Sequence, residues 1–573
     1  MGIEAQSILL LPAPRRLERF AGTSGAPVEQ RIDPAVAPPQ GYRLSIQPEA
    51  CRLIGHDAAG IFYGRQTLAQ IRRQFPDAQP CLEITDWPDF PTRGVMLDIS
   101  RDKVPTMATL FSLIDRLAEW KINQLQLYIE HTFAYRGHEE VWRFADPITA
   151  DEIRELDGYC KSRFIDLVPN QNSFGHMQRW LKHPKYLPLA ESANGADTPW
   201  GFRWDGPFSL CPTDPGSLAL LADLYSQLLP NFASGLFNVG CDETFDIGQG
   251  RSKDECLRRG VHRVYLDFIC RVNELVVRHG RRMMFWGDII LKEPELIQQL
   301  PKNAIALNWG YEADHPFDGE AARFSQSNVP FYVCPGTSSW CSISGRTDNM
   351  LANQRAAAEA AMKHGAIGYL NTDWGDYGHL QYLPVSFAGL AAGAAMSWCL
   401  QSNRDLPLAR LLDAHVFEDA AGVMGAAACE LGNVYRAAGK QIANRSALFS
   451  ILVPSSTHLD PMEGIARDGL DAAFAAIDSA MRNVHRARIK CEDRKLITSE
   501  FDNAAAMLRF ACQTGRWKLD PSSERPEALT HELQLITAEH RRCWLQRNRA
   551  GGLEESIGRL NENRQLAIGN RQS

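Results

Sequence analysis

The sequence predicts an α/β protein built on a (β/α)8 TIM barrel, preceded by a small α/β domain and followed by a mostly helical C-terminal domain. Three observations predict this. From residue 93 to about 400 a short apolar run is followed, eight times over, by a longer stretch of helical period. No glycine-rich phosphate-binding turn follows any of these runs, which argues against an open doubly wound sheet. Just before the first run, Asp86-Trp-Pro-Asp-Phe-Pro91 stops regular structure, because two prolines three apart continue neither a helix nor a central strand. The domains expected are 1–90, 91–400 and 401–573.

In chain order, residues 8–11 and 42–46 read as strands, 60–71 as a helix, and the segment around Leu82 and Ile84 as a further strand. The eight barrel strands are expected at 94–98, 124–129, 164–169, 236–240, 282–286, 305–309, 331–334 and 367–371. Helices are expected between them at 107–120, 150–161, 218–229, 261–279 and 354–364. Beyond 401 the charged helical patterns 404–416, 469–485, 499–515 and 527–545 leave three readings open: packing on the barrel, a dimerisation surface making a homodimer, or a lid over a cleft. The stretch from Gly551 is expected to fray.

With 45% hydrophobic and 23% charged residues in 573, the composition is that of a globular protein with ample core. A net charge of −7 supplies no basic field for nucleic acid or an anionic membrane, so a neutral substrate fits better. The fourteen cysteines include no Cys-x-x-Cys pair, which points to a reducing, cytoplasmic setting without a zinc site. The run Ile8-Leu-Leu-Leu11 is too short for a signal peptide, and Gln6 occupies the position where myristoylation needs Ser or Thr. No apolar run approaches the roughly 20 residues that span a bilayer.

Barrel sites lie at the C-terminal ends of the strands, and here those ends are loaded with reactive side chains. Strand four runs from Leu236 into the adjacent carboxylates Asp242 and Glu243, with no Lys or Arg between 236 and 250. Two such acids repel, which raises the proton affinity of one and suits it to general-acid work. The plainer alternative is a helix cap shared with Asp246. Strand one ends in Asp98 and Arg101, strand two in Glu130 and His131, and strand three leads to His176. Trp286 and Asp288 follow strand five, Asn308 and Trp309 close strand six, Trp340 lies beyond strand seven, and Trp374 and Asp376 end strand eight. Branched aliphatics fill barrel layers better than indoles do. Four tryptophans interleaved with acids fit a carbohydrate site, because sugar C–H faces lie on indole rings while hydroxyls seek carboxylates and Arg.

Five motifs in register carry a resemblance. Trp87-Pro-Asp-Phe-Pro-Thr-Arg-Gly-Val-Met-Leu-Asp-Ile-Ser-Arg101, Phe174-Gly-His-Met177, Leu210-Cys-Pro-Thr213, Phe237-Asn-Val-Gly-Cys-Asp-Glu243 and Asp373-Trp-Gly-Asp376 are similar to the barrel motifs of the family 20 glycoside hydrolases, the β-N-acetylhexosaminidases. Gly60-Ile-Phe-Tyr-Gly-Arg-Gln-Thr-Leu68 resembles the non-catalytic domain that precedes the barrel there. The resemblance implies exo-acting release of terminal β-linked N-acetylglucosamine or N-acetylgalactosamine with retention, without metal or other cofactor. The substrate's own acetamido oxygen then serves as the nucleophile.

By position, it implies Glu243 as the acid and Asp242 as the acetamido partner, with His176 supporting Glu243 through Glu130. Arg93 would bind the O3 and O4 hydroxyls, and Asp376 would accept from O4 or O6. Trp286, Trp309 and Trp374 would wall the acetamido pocket and lie beneath the ring, with Trp340 among the sugar-contacting indoles. The plainer readings are a salt bridge from Arg93 to Asp98 or Asp89, and a packed loop histidine at 176.

Three departures stand out. Tyr128-Ile-Glu-His-Thr-Phe133 replaces the family's acid- and His-rich motif, and Cys241 stands where a glycine is usual. Ser339-Trp-Cys341 puts a cysteine where the family's acetamido-binding tyrosine belongs, leaving Cys341, Tyr377, Tyr382 or another tyrosine for that role. The alternatives are a barrel hydrolase for another sugar, using Glu243 and a distant carboxylate such as Glu130 or Asp376, and a catalytically silent sugar-binding barrel.

Overall fold

A computed structural model describes residues 8–563. The chain begins with a five-stranded sheet in the order β1-β5-β3-β4-β2, built from β1 (Arg16–Ser24), β2 (Val28–Ile32), β3 (Tyr42–Gln47), β4 (Ala50–Gly55) and β5 (Gln79–Asp86). One helix, Ala58–Gln74, crosses between β4 and β5 and buries Tyr63, Leu68 and Ile71 against Tyr42, Leu44 and Leu53. Residues 8–11, expected as a strand, pair with no strand. Two helix glutamines take the place of a ladder: Leu11 N and Leu9 N donate to Gln70 Oε1 (2.9 Å) and Gln74 Oε1 (3.0 Å), and the amide nitrogens of those glutamines donate back to Leu11 O and Leu9 O.

Eight parallel strands then follow: β6 (Thr92–Asp98), β7 (Gln124–Tyr128), β8 (Asp166–Val168), β11 (Leu236–Asn238), β12 (Arg282–Trp286), β13 (Ile305–Trp309), β14 (Phe331–Cys334) and β15 (Gly368–Asp373). Two two-residue strands, β9 (Ala196–Asp197) and β10 (Arg203–Trp204), form a hairpin in the excursion between β8 and β11. Each barrel strand pairs with the next, β15 pairs with β6, and an Asn170–Asn238 bridge joins β8 to β11 and closes the ring. Because helices cover the outside and side chains fill the inside, the strands are almost wholly buried, which is why they read as continuous apolar runs.

The helix that follows β15, Leu383–Trp398, is buried along nearly its whole length. Helices Arg467–Arg486, Arg494–Leu519 and Pro526–Arg547 then pack against one another, and their apolar faces join the barrel's own core. A short hairpin, β16 (Gln441–Ile442) and β17 (Arg445–Ser446), reaches back toward the barrel mouth. The stretch from Gly551 is ordered at its start: helix Leu553–Leu560 buries Leu553 and Ile557 in a cluster with Trp544. The rest of that stretch, residues 564–573, lies outside the described residues.

Candidate active site

The backbone at the end of β11 is tightly constrained. Gly240 (φ +66°), Cys241 (φ +73°) and Glu243 (φ +49°) all take left-handed conformations, and His176 opposite them does too (φ +59°). A Cβ at Gly240 would lie 2.1 Å from Asn172 Oδ1, so only glycine fits there. Cys241 adopts the glycine-like conformation at a cost of about 1 kcal/mol, held by Tyr265 Oη donating to its carbonyl at 2.9 Å. The result is a turn that presents Asp242 and Glu243 side by side. They do not cap the next helix, which begins only at Lys253, and Asp246 instead accepts from Ser209 N at 2.9 Å.

His176 binds the pair together. Its Nε2 lies 3.4 Å from Asp242 and 3.3 Å from Glu243, and its Nδ1 lies 3.7 Å from Glu130. Burial alone would lower its pKa, but the flanking carboxylates outweigh burial and raise it well above the usual histidine range. One ligand atom from each of His176, Asp242 and Glu243 comes within 4.8 Å of the other two, the one such set among the described residues close enough to hold a cation. The imidazolium itself supplies positive charge there.

A third acid completes the cluster. Glu243 N donates to Asp288 Oδ2 at 3.2 Å, and burial, reinforced by the charges of Asp242 and Glu243, pushes the Asp288 carboxyl up to about 7.

On the opposite wall Asp98 accepts from Arg101 N, Arg101 Nη1 and Gly375 N at 3.1, 3.2 and 3.0 Å. It therefore fixes both Arg101 and the turn after β15. Arg101 Nε reaches Glu130 at 3.3 Å and Asp376 at 3.8 Å, with the guanidinium over the Tyr128 and Trp374 rings. Burial pushes the Asp376 carboxyl up to about 6 against the pull of Arg101.

The cleft between these walls has a volume of about 430 Å³, is open to solvent, and is lined by Trp286, Trp309, Tyr311 and Trp374 together with the charged groups and Asn444. Trp309 stacks on Tyr311 (5.3 Å, 25°), and Trp374 Nε1 donates to Tyr311 Oη at 2.7 Å. Accepting there leaves the tyrosine's own proton to be donated, with the Thr372 side chain also within hydrogen-bonding reach of the hydroxyl. Asp242 Oδ1, Trp286 Nε1 and Trp309 Nε1 are buried and have no hydrogen-bond partner among the described residues. Buried polar atoms of that kind mark where a ligand supplies the missing partner.

The family description "Glycosyl hydrolase family 20, catalytic domain" matches residues 90–334, and that family's domain 2 matches residues 9–87. The chain belongs to glycoside hydrolase family 20. A β-hexosaminidase from Akkermansia muciniphila is 30% identical over 224 residues. That match spans 35% of this chain and 45% of the relative, so the chain matches less than half of the relative's length. A solved structure described as a β-N-acetylhexosaminidase superposes with a TM-score of 0.58 at 20% identity, over 71% of this chain and 96% of that one. A Flavobacterium johnsoniae chitobiase superposes with the same TM-score of 0.58 at 14% identity, over 96% of this chain and 99% of that one, a likeness of fold that extends into the helical segment.

Within this family 20 barrel the structure gathers Glu243, Asp242, His176, Trp286, Trp309, Trp374 and Asp376 around one cleft. It corrects two expectations. Arg93 is not in the cleft, because it stands near the start of β6, at the closed end of the barrel. There it is fully buried, with Nε donating to Lys121 O (2.9 Å) and Nη1 to Phe90 O (2.8 Å), over the Trp398 ring. Neither of the salt bridges offered as its alternative forms. Arg101, nine residues beyond the start of β6, is the arginine in the cleft.

Trp340 does not touch the cleft either. It is buried behind Tyr311 (5.0 Å, edge-on), and its Nε1 donates to Asn444 Oδ1 at 3.0 Å. Glu130 stands one layer back, behind Arg101 and His176. The three candidates named for the acetamido role lie elsewhere: Cys341 is buried with Sγ 3.8 Å from Asp376 O, Tyr377 packs against Arg445, and Tyr382 Oη bonds Asn503 and His540 of the helical segment.

Sequence reasoning missed Tyr311, two residues past Trp309. It also missed Asn444, the β16–β17 turn residue whose N donates to Glu312 Oε1 at 2.6 Å. Only the alternation of aromatics in Trp309-Gly-Tyr311 signals the first, and nothing local signals the second.

Proposed function

We propose that the protein is an exo-acting β-N-acetylhexosaminidase that removes terminal β-linked N-acetylglucosamine or N-acetylgalactosamine with retention, the substrate's acetamido oxygen acting as the nucleophile. The single observation that carries this is the placement of both acids on one turn and against one histidine nitrogen. Carboxylates so arranged approach a sugar from the same side, whereas a conventional acid and nucleophile flank the glycosidic bond. The attacking atom then comes from the substrate.

Glu243 gives its proton to the glycosidic oxygen as the C1–O bond breaks. The acetamido oxygen closes on C1 to form an oxazolinium ring. Asp242, through its unpartnered Oδ1, accepts the acetamido N–H and balances the positive charge. Glu243 next takes a proton from the incoming water, whose oxygen attacks C1 from the face the aglycone left as the oxazolinium C1–O bond breaks and the acetamido group is restored. Tyr311 donates its hydroxyl proton to the acetamido oxygen, Trp286 and Trp309 wall the methyl group, and Trp374 lies beneath the ring. Arg101 and Asp376 bind the ring hydroxyls, the role expected of Arg93. His176, with Glu130 behind it, holds the acid pair in register as a positioning residue.

The fourteen cysteines, none of them in a disulfide among the described residues, support a reducing compartment such as the cytoplasm. A chromogenic N-acetyl-β-glucosaminide and the matching plain β-glucoside test the reading. Turnover of the first with at least about 10³-fold preference is the expected result, and equal rates would rule out acetamido participation.

A further inference from the structure

Four loops at the mouth of the barrel meet at Arg101, which leaves β6. Its Nη2 lies 3.4 Å from Nδ1 of His176, in the loop after β8, and its Nε lies 3.3 Å from Glu130, after β7, and 3.8 Å from Asp376, after β15. Loops are the mobile parts of a barrel, and a displacement of about 1 Å at a reacting centre costs about 100-fold in rate. The spacing of these four therefore needs a support.

Residues 547–560 of the helical segment supply one. Asn548 bridges to Pro105, Thr106 N donates to Arg547 O at 2.9 Å and Arg549 N donates to Val104 O at 2.8 Å, so the chain lies along the loop that leaves β6. Arg549 also reaches the loop after β7, with Nη1 donating to Pro147 O at 2.9 Å and Nη2 to Glu152 Oε1, at the start of the next helix, at 2.8 Å. Gly552 (φ +75°) presses on Asp102, where a Cβ would come 1.8 Å from the carbonyl oxygen. Helix Leu553–Leu560 begins there, and its Ser556 Oγ donates at 2.5 Å to the carbonyl of Gly378, two residues past Asp376.

One ion-pair cluster in this contact ties two of the loops together. Arg179, three residues past His176, donates from Nη2 to Oδ1 of Asp102, the neighbour of Arg101, at 2.9 Å. The same guanidinium grips both carboxylate oxygens of Glu555 on the helix, Nη1 at 2.9 Å and Nη2 at 2.6 Å. Burial pushes the Asp102 carboxyl up, whereas hydrogen bonds from Arg179 pull that of Glu555 down, so Glu555 is the partner that stays ionised. A pair whose carboxylate is 57% exposed adds little to stability, but one that spans two loops fixes the distance between them. We propose that Glu555 and Arg179 are positioning residues: the helix carboxylate fixes the Arg179 fork, and the fork sets His176 and Arg101 in register across the cleft. The proposal rests on the activity reading and gives the helical segment a part in it.

The test measures kcat/KM on a 4-nitrophenyl N-acetyl-β-glucosaminide, calorimetric binding of N-acetylglucosamine and the urea midpoint for wild type, Glu555→Ala, Arg179→Ala and the double variant. Glu554→Ala is the control, because Glu554 pairs with Arg541 inside the helical segment. Glu555→Ala should lose about tenfold in kcat/KM and bind the sugar about fivefold more weakly, with a urea midpoint no lower than that of Glu554→Ala. The control should keep kcat/KM within about twofold of wild type. Once Arg179 is gone, removing Glu555 should cost no more than about a further twofold, since the two act as a unit. Additive losses, an equal loss in the control, or wild-type kinetics in Glu555→Ala would overturn the proposal. A wild type that binds the sugar but cleaves nothing, with binding weakened in Glu555→Ala and not in the control, sinks the activity and keeps the positioning role.

Discussion

Arg93 and Arg101 belong to the same barrel strand and its exit, yet they have opposite surroundings. At the floor, Arg93 is enclosed by backbone carbonyls and the Trp398 ring, and burial lowers its pKa. Nearby Asp86 accepts four hydrogen bonds, from Arg15 N, Tyr42 Oη, Lys121 Nζ and Trp398 Nε1. At the rim, burial also pulls on Arg101, but Tyr128 and the carboxylates of Glu130, Asp98 and Asp376 outweigh it and raise the guanidinium pKa well above its ordinary value. There Asp242, Trp286 and Trp309 each keep a buried polar atom without a partner among the described residues. The floor has most of its partners built in, Arg93 Nη2 being the exception, whereas the unpartnered atoms of the rim belong to residues that line an open cleft. The difference separates residues that hold the fold from residues that meet a ligand.

The sharpest way to break this contrast is to exchange effects between the two ends. Arg101→Lys keeps a charge but loses the planar fork, and kcat/KM should fall about 30-fold to 100-fold, with the denaturation midpoint nearly unchanged. Arg93→Ala should do the reverse, costing about 3 kcal/mol in urea unfolding while leaving kcat/KM within about twofold. Reversed outcomes would mean that floor and rim have been misassigned.

Next in size is Tyr311→Phe, which removes one hydroxyl from the rim. It should lower kcat/KM on the N-acetyl substrate about tenfold, whereas Cys341→Ser should change it by less than about twofold. A larger effect from Cys341 would return the acetamido contact to the loop after β14.

The smallest effect concerns pH. The folded-state pKa of Asp288, about 7, lies above the value of about 4 it has in an unfolded chain. Between those values the unfolded chain gives up a proton that the folded one keeps, so this group's contribution to stability falls as pH rises from about 4 to about 7. Ionisation above about 7 also sets a negative charge beside the acid pair. Asp288→Asn should flatten the decline in urea midpoint over that window and move the alkaline limb of the kcat/KM profile upward. An unmoved limb and an unflattened decline would exclude Asp288 as the titrating group.

Most of the barrel was legible because buried parallel strands write themselves as apolar runs, and the observed strand bounds differ from the expected ones by two residues or fewer. Strands β1 and β2 were not legible. They are exposed along nearly their whole length, and neither the Arg16–Ser24 nor the Val28–Ile32 segment shows an apolar alternation. Asp242 and Glu243 were readable because strand ends in a barrel point at its mouth. Arg93 misled because a motif match says nothing of strand direction, whereas its place near the start of the apolar run does. Tyr311 was passed over because the acetamido tyrosine was sought after strand seven. Asn444 could not be read at all, since it reaches the cleft through a hairpin more than 130 residues beyond Trp309.

The measurement that tests the central claim most directly is the rate on aryl β-glucosaminides whose acetyl group carries zero, one, two or three fluorines. Each fluorine weakens the amide oxygen as a nucleophile and leaves the leaving group unchanged. A steep fall in kcat/KM across the series is the result predicted for an attacking acetamido oxygen, and a flat series would contradict it.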